Sequence, residues 1–240
     1  KLALAHVKRN TGRNLDLLGL AECMMNMMEV VYQVRRACQV VAGSQETEPG
    51  DGWPYDLILS QLKETPSMDA RALEKAIVQN YIQFYSQRHP DLPVTQSALE
   101  LAKFLPVARA TGSLGQKLAT RLDDPATRRV TLGMVFSALR SAQSFTDRDY
   151  IDLLHFCELL SAEDADDNFG LGTAASQVAD LLRGADSPLV AAGQHGPDMA
   201  FAHGLSIYLP VRSLSPLYQQ LDFAQESGWD AFLDRFTRRG

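Results

Sequence analysis

The feature that most limits how this chain can fold lies between residues 15 and 34, where LDLLGLAECMMNMMEVVYQV changes its hydrophobic rhythm partway along. Leu15 to Leu20 is a short, nearly continuous apolar run, entered through the turn signal Asn10-Thr11-Gly12. Such a run is too short for a helix of its own and reads as a strand buried mostly on both sides. From Met24 onward, Met24, Met27, Met28, Val31 and Val34 recur at helical spacing, with charge confined to Glu29, Arg35 and Arg36. A buried strand that runs into an amphipathic helix belongs to an α/β sheet, and Cys23 falls on the junction. That junction is the carboxyl end of a strand, where ligand crevices form, and the free N–H groups of a helix's first turn favour an anion there. Those surroundings lower a thiol's pKa. Position alone leaves a second reading open, a core cysteine that merely caps the strand.

The other cysteines differ. Cys38 in VRRACQVV and Cys157 in YIDLLHFCELL have apolar settings and read as small buried hydrophobes. None of the three has a CxxC partner or a histidine at zinc-ligand spacing. The 240 residues, 45% of them hydrophobic, suffice for one large or two small domains with a real core. A formal net charge of −6, from 23 basic and 29 acidic residues, leaves no clustered basic face for phosphates and argues against a nucleic-acid partner. The densest basic group, Arg235, Arg238 and Arg239, reads as the tail of a C-terminal helix. No apolar stretch approaches the ~20 residues of a membrane span.

The next stretch, QVVAGSQETEPGDGWPYD, reads as a second buried strand from Val40 to Ser44, followed by a loop rich in Gly, Pro and acid. Two consecutive strands thus end in polar loops that can sit side by side. Taken alone, Glu46, Glu48 and Asp51 read as a solvated turn. Taken together, residues 15 to 56 resemble the clostripain-like cysteine peptidases, whose pattern runs strand, Asp-Ala-Cys-Leu-Met, helix with Glu, strand, then Ser-Glu-Glu and a Gly-Trp loop. RDYIDLLHFCELL at 148 to 160 is similar to that family's Tyr-x-Asp-Leu helix. AHGLSIYLP and YQQLDFAQESGWDAFLDRF resemble its closing strand and Trp-bearing terminal helix.

The resemblance implies a caspase-like α/β sandwich with a mostly parallel sheet flanked by helices, plus a helical insertion or subdomain. It implies an endopeptidase in which Cys23 is the nucleophile, with Ala21, Ser44 and Trp53 at substrate-binding positions. The family's catalytic histidine precedes the cysteine strand, and His6 lies too close to it, towards the strand's amino end. His89, His155, His195 and His203 read as surface or core histidines. The expected partners are therefore a His-bearing N-terminal fragment of the same precursor, cleaved from it, and a protein or peptide substrate. At the position two before the cysteine, where the family carries an S1 aspartate, stands Ala21. The expected P1 residue is accordingly apolar or small rather than Arg or Lys, the alternative being that Glu46 or Glu48 supplies the carboxylate from the next loop. Strand alternation turns Glu22 to the other face. Ala21 also supports a rival reading, a catalytically silent pseudoprotease acting as a binding or scaffold module.

The remaining chain reads as scaffold. Helices are expected over 67–88, with Leu73, Ile77, Tyr81 and Phe84 on one face, and near 127–143, 148–161, 173–184 and 216–236. Residues 94–122 begin with a β-like VTQSA and continue as a helical pattern that Pro106 should kink or divide. The domain reading is a Cys-bearing part of the core over 1–60, a mainly helical insertion over 61–195, and a closing strand and helix over 196–240. No cofactor is required by the sequence. SAEDADDNFG at 161 to 170 places Asp164, Asp166 and Asn168 at alternate positions, but lacks the glycine and the final acid of an EF-hand, and reads as a solvated loop. A Ca²⁺ site built from several loops stays open. Neither GxGxxG, GxxxxGK[ST] nor GxSxG occurs. The resemblance favours a secreted or periplasmic bacterial protein, while the composition suits the cytoplasm as well.

Overall fold

The structure, a computed structural model, describes residues 2–238. In chain order its elements are α1 (Leu2–Thr11), β1 (Leu15–Gly19), α2 (Met28–Val34), β2 (Cys38–Gly43), α3 (Tyr55–Glu64), α4 (Ala70–Arg88), β3 (Val94–Glu100), α5 (Phe104–Asp123), α6 (Pro125–Ser141), β4 (Tyr150–Asp152), α7 (Leu153–Glu163), α8 (Leu171–Arg183), β5 (Leu189–His195), β6 (Ser206–Tyr208), α9 (Asp222–Ser227) and α10 (Trp229–Thr237). They form two compact units, Lys1–Phe104 with Pro188–Leu205 and Leu105–Ser187 with Ser206–Gly240. The stretch from 61 to 195 is mainly helical and also contains two strands of the first unit's sheet, β3 and β5.

In the first unit, four strands lie in the order β1-β2-β3-β5. The expected α/β architecture is present, but the sheet is mixed rather than mostly parallel. Only β1 and β2 run parallel, Leu17 opposite Val40 and Gly19 opposite Ala42, while β2–β3 and β3–β5 are antiparallel. The β1–β2 link carries α2 alone, as a parallel crossover does; the β2–β3 link carries two helices, α3 and α4. β2 is central, with Val41 and Ala42 fully buried, whereas β1 lies at the edge and its Leu15, Leu17 and Leu18 are only half-buried. The expectation of a strand buried on both sides therefore holds for β2 and not for β1.

α4 covers one face of this sheet. Asp69 caps it by accepting from the Ala72 N–H at 2.7 Å, the role for which a short acidic side chain is favoured at that position. Ile77, Val78, Tyr81 and Tyr85 of α4 pack with Ala42, Val94 and Ala98 of the sheet and with Trp53.

The second unit holds α6, α7 and α8, the β4–β6 antiparallel pair, and the C-terminal helices. Pro106 does not divide α5, because it lies in the first turn, where its missing N–H would have had no helical acceptor. Tyr150 to Asp152 form β4, so the helix expected from 148 begins only at Leu153, capped by Asp152 on the His155 N–H at 2.8 Å. The helix expected over 216–236 is split into α9 and α10 by Gly228, whose φ of +81° glycine adopts readily. Trp229, Phe232 and Phe236 are buried, as the apolar stripe suggested, and a Cβ on Gly115 would come within 2.9 Å of the Trp229 ring. Of the basic tail, Arg235 pairs with Asp123 and Arg238 with Asp234, and Arg239 lies outside the described residues.

The acidic stretch before α8 is not simply solvated. Asp164 is buried at 3% exposure, and its carboxylate accepts from the N–H groups of Leu171 and Gly172 at 2.9 and 3.1 Å. Asp167, in the left-handed region, accepts from the Thr173 N–H and hydroxyl at 2.8 and 2.7 Å, which holds its carboxyl below the usual range. The two aspartates thus cap a helix N-terminus.

Candidate active site

β1 and β2 end side by side, and their pairing continues beyond the strands into two loops, 20–27 and 44–54. The Leu20 N–H donates to Ala42 O at 2.9 Å, Asn26 N–H to Ser44 O at 2.9 Å and Met24 N–H to Glu46 O at 3.1 Å. Cys23 sits on the first of these loops and is exposed, unlike Cys38 and Cys157. Burial pushes the Cys38 thiol up to about 12, with the nearby Glu74 adding to the shift, and Cys157 is likewise raised by burial first and Asp152 second. Those two are core hydrophobes, as expected, and the core reading of Cys23 is excluded by its exposure.

The junction differs from the expected one. α2 begins at Met28, not Met24, so the thiol does not lie at a helix N-terminus. Met24, immediately after the cysteine, has φ +59°, a left-handed conformation that is strained for an unbranched non-glycine residue and breaks the helical run. The main-chain bonds of Met24 and Asn26 to the neighbouring loop hold it there. Asn26, fully buried, also donates through Nδ2 to Ser97 O and Gly204 O, each at 3.2 Å, and to Ser97 Oγ, anchoring the loop to β3 and to the segment after β5. Residues 20–23 are not a strand, so strand alternation does not govern Glu22; Ala21, Glu22 and Cys23 are all exposed.

A different donor takes the place of the helix. The Glu48 N–H donates to Cys23 Sγ at 3.3 Å. The Glu48 carboxylate accepts from Trp53 Nε1 at 3.1 Å and from the Tyr81 hydroxyl at 2.7 Å. Burial raises its pKa, and these two hydrogen bonds oppose the rise. Farther along α4, the Tyr85 hydroxyl donates to Gly52 O at 2.8 Å, and His89 Nε2 lies 2.9 Å from Asp51 Oδ2. Positions 81, 85 and 89 share one helical face, so a single stripe of α4 fastens the second loop. The sequence placed Tyr81 on an apolar face; its hydroxyl's role had no signal beyond the choice of Tyr over Phe.

The other expected site residues are placed as follows. Trp53 is buried at 6% exposure, its ring so close to β1 that a Cβ on Gly19 would stand 3.0 Å from it. Ser44 is fully buried, its hydroxyl bound to Thr95 Oγ1 and Glu46 O at 2.9 Å each, so it shapes the loop backbone from within. Glu46 is buried at 3% and holds the Thr47 N–H. Glu46 and Glu48 therefore belong to a built loop, not a solvated turn.

The sulfur's hydrogen-bond partner among the described residues is the Glu48 amide, and no histidine joins it. His6 bonds Asn10, His195 bonds Pro90 O, and His155 Nδ1 accepts from the Gln143 N–H in the second unit. Among the described residues, no group of three or more His, Cys, Asp or Glu side chains is placed to hold a metal, and no helix is long and apolar enough to cross a membrane.

Comparison with known proteins gives a consistent result. The chain is similar in fold to a B. fragilis cysteine protease, with a TM-score of 0.60 at 19% identity, covering 96% of this chain and 94% of that one. It is also similar to a secreted C11 cysteine protease from Bacteroides thetaiotaomicron bound to an irreversible peptide inhibitor, with a TM-score of 0.63 at 16% identity, covering 95% of this chain and 63% of that one. An inactive zymogen C11 protease from Parabacteroides distasonis has a TM-score of 0.62 at 15% identity, covering 93% of this chain and 62% of that one. The chain thus spans less than two thirds of the length of the last two. No curated protein sequence matches it. The model of the clostripain family, peptidase C11, matches residues 2–236, and the chain belongs to that family.

Proposed function

We propose that this protein is a cysteine endopeptidase in which the Cys23 thiolate attacks the peptide carbonyl. The observation that carries this reading is an exposed thiol on a main-chain-anchored loop at the ends of two parallel strands, with an amide N–H directed at its sulfur. The thiolate adds to the carbonyl and backbone N–H groups near the cysteine hold the oxyanion; the C–N bond then breaks as the histidine passes its proton to the leaving amine, and water hydrolyses the resulting thioester to free the acid and the thiolate. The reaction uses no cofactor.

The general base is a histidine carried on a separate N-terminal fragment of the precursor. Two features support this: no imidazole meets the sulfur within the described residues, and β1 is the outermost strand, with leucines only half-buried, where another segment can pair. The P1 residue is apolar or small. Ala21 is exposed and carries no charge, while the carboxylate of Glu48 is held by Trp53 and Tyr81 and that of Glu46 is buried. An arginine desolvated without a partner would cost several kcal/mol, on the order of the penalty for breaking a buried ion pair.

The test is covalent labelling. The protein is exposed to peptidyl acyloxymethyl ketones with Leu, Ala or Arg at P1, and adducts are mapped by mass spectrometry together with any co-purifying fragment. Faster labelling of Cys23 by the Leu or Ala reagent, with a His-bearing fragment present, is expected. Faster labelling by the Arg reagent would overturn the specificity. An unlabelled Cys23 in the presence of that fragment would overturn the peptidase reading, leaving the binding module that Ala21 also allows.

A further inference from the structure

Glu48 presents two groups to two neighbours. Its backbone N–H donates to Cys23 Sγ at 3.3 Å, and its carboxylate lies between the Tyr81 hydroxyl at 2.7 Å and Trp53 Nε1 at 3.1 Å. Both donors are rigid. Tyr81 has no exposed surface, and Trp53 is nearly buried, with its ring against Gly19. A carboxylate gripped by two packed aromatic donors tethers its residue to α4 and Trp53, and so limits how far its backbone N–H can move from the sulfur.

From this geometry we infer that Tyr81 is a positioning residue for Cys23: through the Glu48 carboxylate it holds the Glu48 N–H on the sulfur, and so favours the thiolate. The inference rests on the nucleophile proposed above and adds to it a residue on a helix distant in sequence. A donor aimed at the sulfur stabilises the negative charge that the sulfur carries when it reacts. Glu48 on the adjoining loop meets the sulfur through its N–H, Tyr81 on α4 lies near enough to interact with Cys23, and Glu22 adjoins Cys23 in the chain. Burial, foremost, keeps the Tyr81 hydroxyl protonated and therefore a donor. Packing alone would be served by phenylalanine at this position.

The test measures the rate of Cys23 alkylation by iodoacetamide against pH, read by peptide mapping, in the native chain and in Tyr81→Phe, Trp53→Phe and Glu48→Gln. Removing either aromatic donor is expected to raise the half-reactive pH by about half to one unit and to slow alkylation below that pH by about three- to tenfold. Glu48→Gln leaves one acceptor oxygen for the two donors and also removes a negative charge, effects of opposite sign, so its midpoint is expected below those of the two aromatic variants. Unchanged midpoints in folded Tyr81→Phe and Trp53→Phe would overturn the inference. Because iodoacetamide needs no substrate pocket, the shift is readable even if the peptidyl ketones never label Cys23, which separates failure of this inference from failure of the peptidase reading.

Discussion

Two glutamates bear on α4, Glu74 from within its first turns and Glu48 against Tyr81 in its second half, and the chain treats them differently. Glu48, on the loop that reaches the Tyr81 end, is desolvated yet receives two hydrogen bonds from side chains. Glu74, near the start of the helix, is fully buried and neither of its carboxylate oxygens has a hydrogen-bond partner among the described residues. Burial, with the nearby charge of Glu100, pushes its carboxyl up to about 8. Desolvation acts at both ends, but donors are supplied only at the end that faces the exposed thiol. The carboxylates beside α4 thus divide into one that is hydrogen-bonded next to the exposed thiol and one that is buried without donors.

That division is broken most severely at Cys23 itself. Replacing it with Ala should abolish turnover, by about 10⁴-fold or more, with no measurable change in melting temperature, because the side chain is exposed; a large fall in melting temperature would mean that this end serves stability too. The Glu74 end should show the converse. Below ~pH 4.3 its carboxyl is protonated both folded and unfolded; between that pH and about 8 only the folded chain keeps the proton, so stability falls as pH rises through this window. Each pH unit there costs up to about 1.4 kcal/mol. Denaturant titrations at pH 5 and pH 8 should show the loss in the native chain and its absence in Glu74→Gln. Equal pH dependence of the two proteins would show that Glu74 is ionised while buried.

Smaller changes sharpen the contrast. Gly19→Ala sets a methyl 3.0 Å from the Trp53 ring, and is expected to destabilise by about 1–2 kcal/mol while lowering the rate of Cys23 labelling through the displaced indole. A melting curve and a labelling time course on one sample would check both. His89→Ala removes a pairing with Asp51 and ring contacts with Tyr85 and Phe84, and should change stability by less than about 1 kcal/mol, read from denaturant titration.

Much of the sheet-bearing unit is legible in the residues. The apolar runs at 15–20 and 40–44 mark β1 and β2, because nothing else buries so short a stretch, and the aromatic and aliphatic stripe over 73–84 marks α4. The false start of α2 has a specific cause. Met24 and Met27 are in phase with Met28, Val31 and Val34, so periodicity extends the helix backwards; the left-handed backbone at Met24 and the tertiary hydrogen bonds of Asn26 end it, and neither leaves a trace in the hydrophobic pattern. The mixed strand directions were equally hidden, since pairing between residues as far apart as Val94 and His195 is a tertiary fact. Family likeness pointed to Cys23 and Trp53. It did not reveal that Ser44 turns inward, or that Glu48 joins the thiol to α4, because those depend on hydroxyl and carboxylate contacts between loops.

The late start of α2 carries a consequence for control. A thiol that draws its ionisation from its own helix is reactive whenever that helix is folded. Here the donor to the sulfur belongs to another segment, so reactivity depends on the register of two loops rather than on either alone. If Glu48 acts on Cys23 as inferred above, a shift of the 44–54 loop that breaks the 3.3 Å contact would slow the sulfur's reactions without unfolding the chain.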